Sequence, residues 1–372
     1  MRRTILVGGS DEPGRIDTSP SGIGALMSDE AVDRSVAGRK LDHLRVLADD
    51  PGVERSQSGF DGINLTHRAL PELHLDEIDP SVDFLGKPMR FPLLISSMTG
   101  GSGDAILKIN QTLAEAAEAC GVAMAVGSQR VMFANPVAGQ SFDLRKFAPT
   151  APLIGNIGAV QLRAGLTAQH CQDAVDVLQA DGLYLHLNPL QEAVQPEGDR
   201  DFSGLAAAIT DLVPQMSVPL LFKEVGSGLS AADIRLGLKA GVRHFDVAGR
   251  GGTSWSRIEY HRRADDADDL GLVFQDWGLT TVEALQDAQS VLPKDAVLIA
   301  SGGIRNGIDM AKAIILGADV CGLAAPLLSA ARQSTQATID VICRLDREFR
   351  TAMFLLGCAN CAALKNNTGL LR

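Results

Sequence analysis

From residue 91 onward, short apolar runs rich in β-branched residues alternate with stretches of helical periodicity, and glycines mark the turns between them. A short apolar run bounded by turn residues reads as a strand buried on both faces, and its repetition with helices reads as a parallel sheet. The runs predict strands over residues 91–96, 122–126, 152–156, 182–187, 218–223, 244–247, 296–300 and 320–323. Helical patterns fill the gaps, for example over 105–119, 168–179, 230–240 and 307–316, and a last apolar helix is expected over 335–356. Eight strands favour a closed barrel over an open sheet. The predicted fold class is therefore α/β, a (β/α)8 TIM barrel formed as one domain over residues 38–372. Residues 1–37 are rich in Gly, Ser, Asp and Arg and lack apolar periodicity, so they are expected to form a mobile extension.

The richest stretch of polar chemistry follows the fourth strand. The apolar Leu183, Tyr184 and Leu185 give way at once to His186, Asn188, Gln191, Glu192, Gln195 and Glu197. In such a barrel the loops after the strands build the site, so this crowding falls where function concentrates. Glu192 is a hard carboxylate with amide neighbours, which suits a partly hydrated Mg²⁺ shared with substrate phosphates. A polar surface turn with a helix cap is the bland alternative.

The other exits are also small or polar. They read Ser97-Met98-Thr99-Gly100-Gly101, Gly127-Ser128-Gln129-Arg130, Gly155-Asn156-Ile157-Gly158 and Lys223-Glu224-Val225-Gly226. The last three open with Gly249-Arg250-Gly251-Gly252-Thr253, with Ser301-Gly302-Gly303-Ile304-Arg305 and with Gly322-Leu323-Ala324-Ala325. Taken singly, each Gly pair is equally a tight turn. Together, the seventh and eighth exits match a phosphate held on backbone N–H groups and a helix N-terminus. Lys223, alone at the end of an apolar strand, would face an electron-rich ring edge inside the barrel mouth and stabilise negative charge there. A phosphate at that place, with Lys223, Asn156 and Thr99 around the mouth, suggests flavin mononucleotide (FMN). Arg39, Lys40, His43, Arg130 and the Glu192 metal then remain for a second polyanion. For Arg39, Lys40 and His43 an ordinary solvated helix start is the competing reading.

Composition narrows the field. The chain has 372 residues and a formal charge of −11, which argues against a nucleic-acid partner, since such binders carry a basic face. No stretch reaches the length of a membrane span, and residues 1–7 hold too short an apolar run for a secretory signal. The expected location is cytoplasmic. Six cysteines in a chain this long do not resemble a disulfide framework, and Cys358-x-x-Cys361 lacks the second ligand pair of a zinc site.

As an ordered set, these motifs resemble the type 2, FMN-dependent isopentenyl-diphosphate delta-isomerases over residues from about 39 to 356. The resemblance rests on Arg39-Lys40-x-Asp42-His43, on the exits quoted above, and on His186-Leu-Asn188-Pro-Leu-Gln191-Glu192. It implies a homo-oligomeric TIM-barrel enzyme, a tetramer or octamer, that binds FMN and Mg²⁺. NADPH or NADH would bring the flavin to its active, reduced form.

By position, the resemblance sets FMN against Met98, Thr99, Ser128, Asn156, Lys223, Thr253, Gly302, Gly303, Ile304, Ala324 and Ala325. It sets the diphosphate against Arg39, Lys40, His43, Ser128, Arg130 and Gln191, with Glu192 on the metal. His186, Asn188, Gln191 and Lys223 are then the catalytic set, acting on isopentenyl and dimethylallyl diphosphate. Ala248 departs from the Ser common in the family. Two rivals stand beside this reading. One is an FMN-dependent 2-hydroxy-acid oxidase, which needs a His base near the late exits. The other is a non-catalytic flavin-binding protein, which leaves His186, Gln191 and Glu192 unexplained.

Overall fold

The structure is a computed structural model that describes residues 46, 49–98, 100–101, 103–262 and 268–372. The extension expected over 1–37, together with Arg39, Lys40, His43 and Thr99, lies outside the described residues.

A two-stranded antiparallel ribbon comes first, β1 (Val82–Phe84) and β2 (Lys87–Met89). Eight parallel strands follow: β3 (Leu93–Ile95), β4 (Ala123–Ala125), β5 (Leu153–Gly158), β6 (Gly182–Leu187), β7 (Leu220–Glu224), β8 (His244–Asp246), β9 (Val297–Ser301) and β10 (Val320–Leu323). They pair in chain order and close through β10 against β3. All eight coincide with predicted strands. The ribbon has no counterpart in the hydrophobic pattern, because Asp83, Lys87 and Pro88 interrupt the apolar residues of its two strands. Its turn is Leu85-Gly86, both at positive φ (51° and 75°), in place of the usual Asn-Gly.

Helices occupy the crossovers, and those over Asp104–Cys120, Ala168–Leu178, Ala231–Lys239, Gly307–Ile315 and Thr335–Leu356 match the periodicity within a residue or so at each end. Their apolar faces pack on the outer face of the sheet; Leu113, Val175, Ile234, Met310 and Phe349 are buried there. The Ser230 cap is a reciprocal box with Asp233, which ends the β7 loop and starts its helix at a defined residue.

Side chains alternate across each strand, so one parity faces the barrel axis. Leu94, Ala125, Ile154, Tyr184, Leu221, Ile299 and Val320 form the inner core, plugged from the ribbon by Phe84 and Met89. Two residues further along the same parity come Ser96, Asn156, His186, Lys223, Ser301 and Gly322. The register sets His186 beside Lys223, Lys223 beside Asp246 and Ser301 beside Gly322. The chain therefore changes from apolar to polar at one level of the barrel. No helix of the described residues is long and apolar enough to cross a membrane.

Candidate active site

Above that level a cavity of about 440 Å³ opens at the carboxyl ends of the strands, the size and place of a small-molecule site in this architecture. Met98, Ser128, Asn156, His186, Gln191 and Lys223 line one side. Thr253, Gly302, Gly303, Ile304, Ala324 and Ala325 line the other. The barrel thus brings together twelve of the predicted residues from all eight exits. Asn188, Glu192 and Arg130 do not line the cavity.

The Gly302–Gly303 edge has the form expected of an anion cradle, but for a different immediate reason. Both glycines have positive φ, 102° and 77°. A Cβ on Gly302 would stand 2.1 Å from the Gly249 carbonyl oxygen, and one on Gly303 would stand 2.4 Å from that of Gly251. Packing of the sixth exit against the seventh requires the glycines. Beside them the helix Ala325–Ala331 starts without any side-chain cap, and Arg305 and Arg332 also line the cavity. Small residues, uncapped first-turn amides and two guanidinium groups fit a phosphate. Ser97 Oγ, also at the cavity, is buried without a hydrogen-bond partner among the described residues. These features fit a group such as FMN, which carries both a phosphate and polar ring atoms.

Thr253 lines the cavity, and its hydroxyl is engaged. It donates to Glu54 Oε1, while Glu54 Oε2 accepts from Arg305 Nη2 at 2.6 Å. Glu54 reaches the cavity because its segment bridges to Thr253, and Arg55 clamps that junction. The Arg55 guanidinium bonds the carbonyls of Gly226, Gly252, Thr253 and Gln275 at 2.6–3.1 Å. Burial pulls it down to about 10, still cationic at neutral pH. Neither residue has a signal in the apolar pattern.

His186 Nδ1 lies 2.8 Å from Asn156 Oδ1. Asn156 Nδ2 already donates to the Val126 carbonyl, so the oxygen faces the ring and Nδ1 carries the proton of that bond. Gly158 makes room for the imidazole; a Cβ there would lie 3.0 Å from His186 Nε2. Gln129 is structural: its side chain joins Asn156 N to the Ala174 carbonyl at 2.9 and 2.8 Å.

On the helix Pro189–Val194, Asn188 Nδ2 reaches Gln191 Oε1 at 3.2 Å and Glu192 Oε1 at 2.8 Å. Gln191 Nε2 donates to Glu259 Oε1 at 2.8 Å, and Arg262 Nη1 holds the other oxygen of Glu259. Glu259 is completely buried and was not foreseen. Asn188 therefore orients its neighbours and does not itself form the wall.

Glu192 is buried, with its Oε2 taking the Asp199 amide at 2.7 Å. Burial raises its carboxyl above the ordinary range, against the pull of Asn188 and the Asp199 amide. Arg130 turns to Asp199 at 2.8 Å. Among the described residues no three His, Cys, Asp or Glu side chains group as metal ligands. Asn188 Oδ1, however, is buried without a partner among the described residues, and it sits on the residue that bonds Glu192. One carboxylate and one spare amide oxygen are hard donors. They suit an ion that takes its remaining ligands from water and phosphate.

Comparison with known proteins agrees with this geometry. A family model described as FMN-dependent dehydrogenase matches residues 172–370. An isopentenyl-diphosphate delta-isomerase of Paracoccus zeaxanthinifaciens is 64% identical over 92% of this chain and 99% of its own. One of Hydrogenovibrio crunogenus is 56% identical over 91% and 99%. Among solved structures, a flavocytochrome b2 mutant superposes with a TM-score of 0.64 at 17% identity, over 92% of this chain and 85% of that one, which speaks for the fold alone. Near-full-length identity at these levels, on a barrel whose mouth fits a flavin phosphate, has one reading: the chain belongs to the FMN-dependent isopentenyl-diphosphate delta-isomerase family.

Proposed function

We propose that this protein interconverts isopentenyl diphosphate and dimethylallyl diphosphate by an allylic proton shift, with reduced FMN and Mg²⁺ bound. The observation that carries the proposal is one cavity bounded by a phosphate-type edge at Gly302–Ala325 and by Gln191, His186 and Lys223 opposite. The reaction adds a proton at one allylic end and removes one at the other, with no net redox change. Reduced flavin, when bound, supplies an electron-rich ring able to exchange a proton and to face a cationic transition state.

The chain's own residues hold and orient. Lys223 would meet the ring edge, and Gln191, fixed between Asn188 and Glu259, would orient the substrate chain. An amide titrates too far from neutrality to act as general acid, so Gln191 serves orientation. His186, held by Asn156, forms the adjacent wall. Glu192 and Asn188 Oδ1 would hold Mg²⁺, with Ser128 and Arg130 on the diphosphate whose charge it offsets. By the family resemblance, Arg39, Lys40 and His43 would add cationic groups for the diphosphate. A cytoplasmic homo-oligomer using NADPH or NADH as reductant belongs to the same reading.

A 2-hydroxy-acid oxidase would need a histidine base near the late exits. The histidine that follows the sixth exit, His261, instead bonds Asp50 through Nε2 at 2.7 Å. Anaerobic incubation with FMN, Mg²⁺, NADPH and isopentenyl diphosphate tests the proposal. Dimethylallyl diphosphate is expected, and Glu192→Gln should raise the Mg²⁺ concentration needed. No allylic product from fully reduced protein would sink it, and oxygen uptake with lactate or glycolate would restore the oxidase.

A further inference from the structure

Beneath the cavity lies a carboxylate that the site described so far does not use. Asp246, the last residue of β8, is 0% exposed. Its Oδ2 stands 3.2 Å from Lys223 Nζ and accepts from the Tyr184 hydroxyl at 3.0 Å. Its Oδ1 accepts from Ser301 Oγ at 2.5 Å and from the Ala248 amide at 3.2 Å. One buried group therefore gathers donors from β6, β7 and β9 and from the turn that leaves β8. Ala248, which that turn carries, has φ 37°, a left-handed value for a residue with a Cβ.

Stability alone is a weak reason for such a group, since a buried ion pair roughly breaks even against an apolar isostere. Its placement gives a stronger one. Lys223, Ser301 and Ala248 all line the cavity, while Asp246 and Tyr184 lie behind them. Lys223 Nζ also donates to the Glu224 carbonyl at 3.2 Å and stands 5.9 Å from the Tyr184 ring centre. Burial and the adjacent Asp246 hold the Tyr184 phenol well above its ordinary range, so it stays a neutral donor.

We propose that Asp246 is a positioning residue for the isomerase reaction: it fixes the Lys223 ammonium at the flavin ring edge and offsets its charge there. The inference rests on the reading that Lys223 faces the flavin. The pair presents a dipole to the ring in place of a whole positive charge. The electron-rich form is thereby stabilised by a directed hydrogen bond without being driven fully to the anion. Unpaired, the same ammonium in a water-poor site would act over several ångströms with little screening.

The test reads the bound flavin. The ratio of reduced to oxidised FMN is measured against a redox dye at fixed solution potential, with FMN affinity determined in parallel. Asp246→Asn should raise that ratio about tenfold or more, equivalent to about 30 mV for a two-electron couple, and Lys223→Met should lower it. In the double variant the Asp246→Asn effect should vanish. A shift in Lys223→Met but none in Asp246→Asn overturns the positioning role, as does an Asp246→Asn shift that persists without Lys223. No change of potential or FMN affinity in Lys223→Met overturns the flavin reading of Lys223, and the inference with it. Should Asp246→Asn fail to fold, Tyr184→Phe keeps both charges and removes a neutral donor from the shared Oδ2. The ratio should then fall severalfold, and an unchanged ratio overturns the proposal.

Discussion

Gln191 and Glu259, 68 residues apart in sequence, meet at 2.8 Å through Nε2 and Oε1, and the carboxylate is wholly buried. The helix Trp255–His261 thus fixes the amide of another exit's residue. Glu259→Gln keeps the shape but lets the amide turn. We expect kcat to fall about 10²-fold, the size of effect that a small misplacement produces, with KM little changed. Steady-state anaerobic assays check this, and an unaltered kcat would remove Glu259 from the account.

Arg55 ties the segment carrying Glu54 to the carbonyls of Gly226, Gly252, Thr253 and Gln275. A lysine is a point donor and cannot reproduce the fork. Arg55→Lys should lose about 3 kcal/mol of stability, the value of one or two charged hydrogen bonds, and weaken FMN binding severalfold. Denaturant titration and flavin fluorescence measure the two effects, and wild-type values in both would refute the clamp.

Glu224 Oε2 accepts from the backbone amides of Val225, Gly226, Ser227 and Gly228. Complete burial nevertheless pushes its carboxyl up to about 7. A raised value means that the folded state favours the protonated form. The associated stability is present in full below the ordinary carboxylate range and is lost as pH rises through about 7. The loss should amount to about 3 kcal/mol. Denaturant midpoints at pH 5 and pH 8 should therefore differ more in the wild type than in Glu224→Gln, and equal differences would contradict the assignment.

Gly302→Ala combines positive φ with a Cβ 2.1 Å from a carbonyl oxygen, so it should cost at least about 4 kcal/mol and abolish FMN retention. Gly139→Ala, with nothing within 4 Å of the new methyl, serves as control and should be near neutral. Thermal melting and flavin content after gel filtration decide it. A stable, flavin-loaded Gly302→Ala would show that the two exits can separate without loss.

Much of this architecture is legible in the chain because its cues are local. Continuous apolar runs such as Leu183–Leu185 and amphipathic stretches such as 335–356 mark strand and helix whatever lies beyond them. Strand parity then turns Asn156, His186 and Lys223 toward the cavity, and the exit motifs name most of its wall. The ribbon escaped because Asp83, Lys87 and Pro88 leave its two short strands without an apolar run.

The sequence by itself determined the number and order of the barrel strands, their inward faces and the family. Only the tertiary structure decided which polar groups meet: Lys223 with Asp246, Gln191 with Glu259, Thr253 with Glu54, and Arg130 with Asp199. Periodicity acts over a few residues, while these pairings span 23 to 199 positions and arise only when the barrel closes. A charge's partner is set by distance in space and by the loss of competing water, and neither is written in its neighbours along the chain.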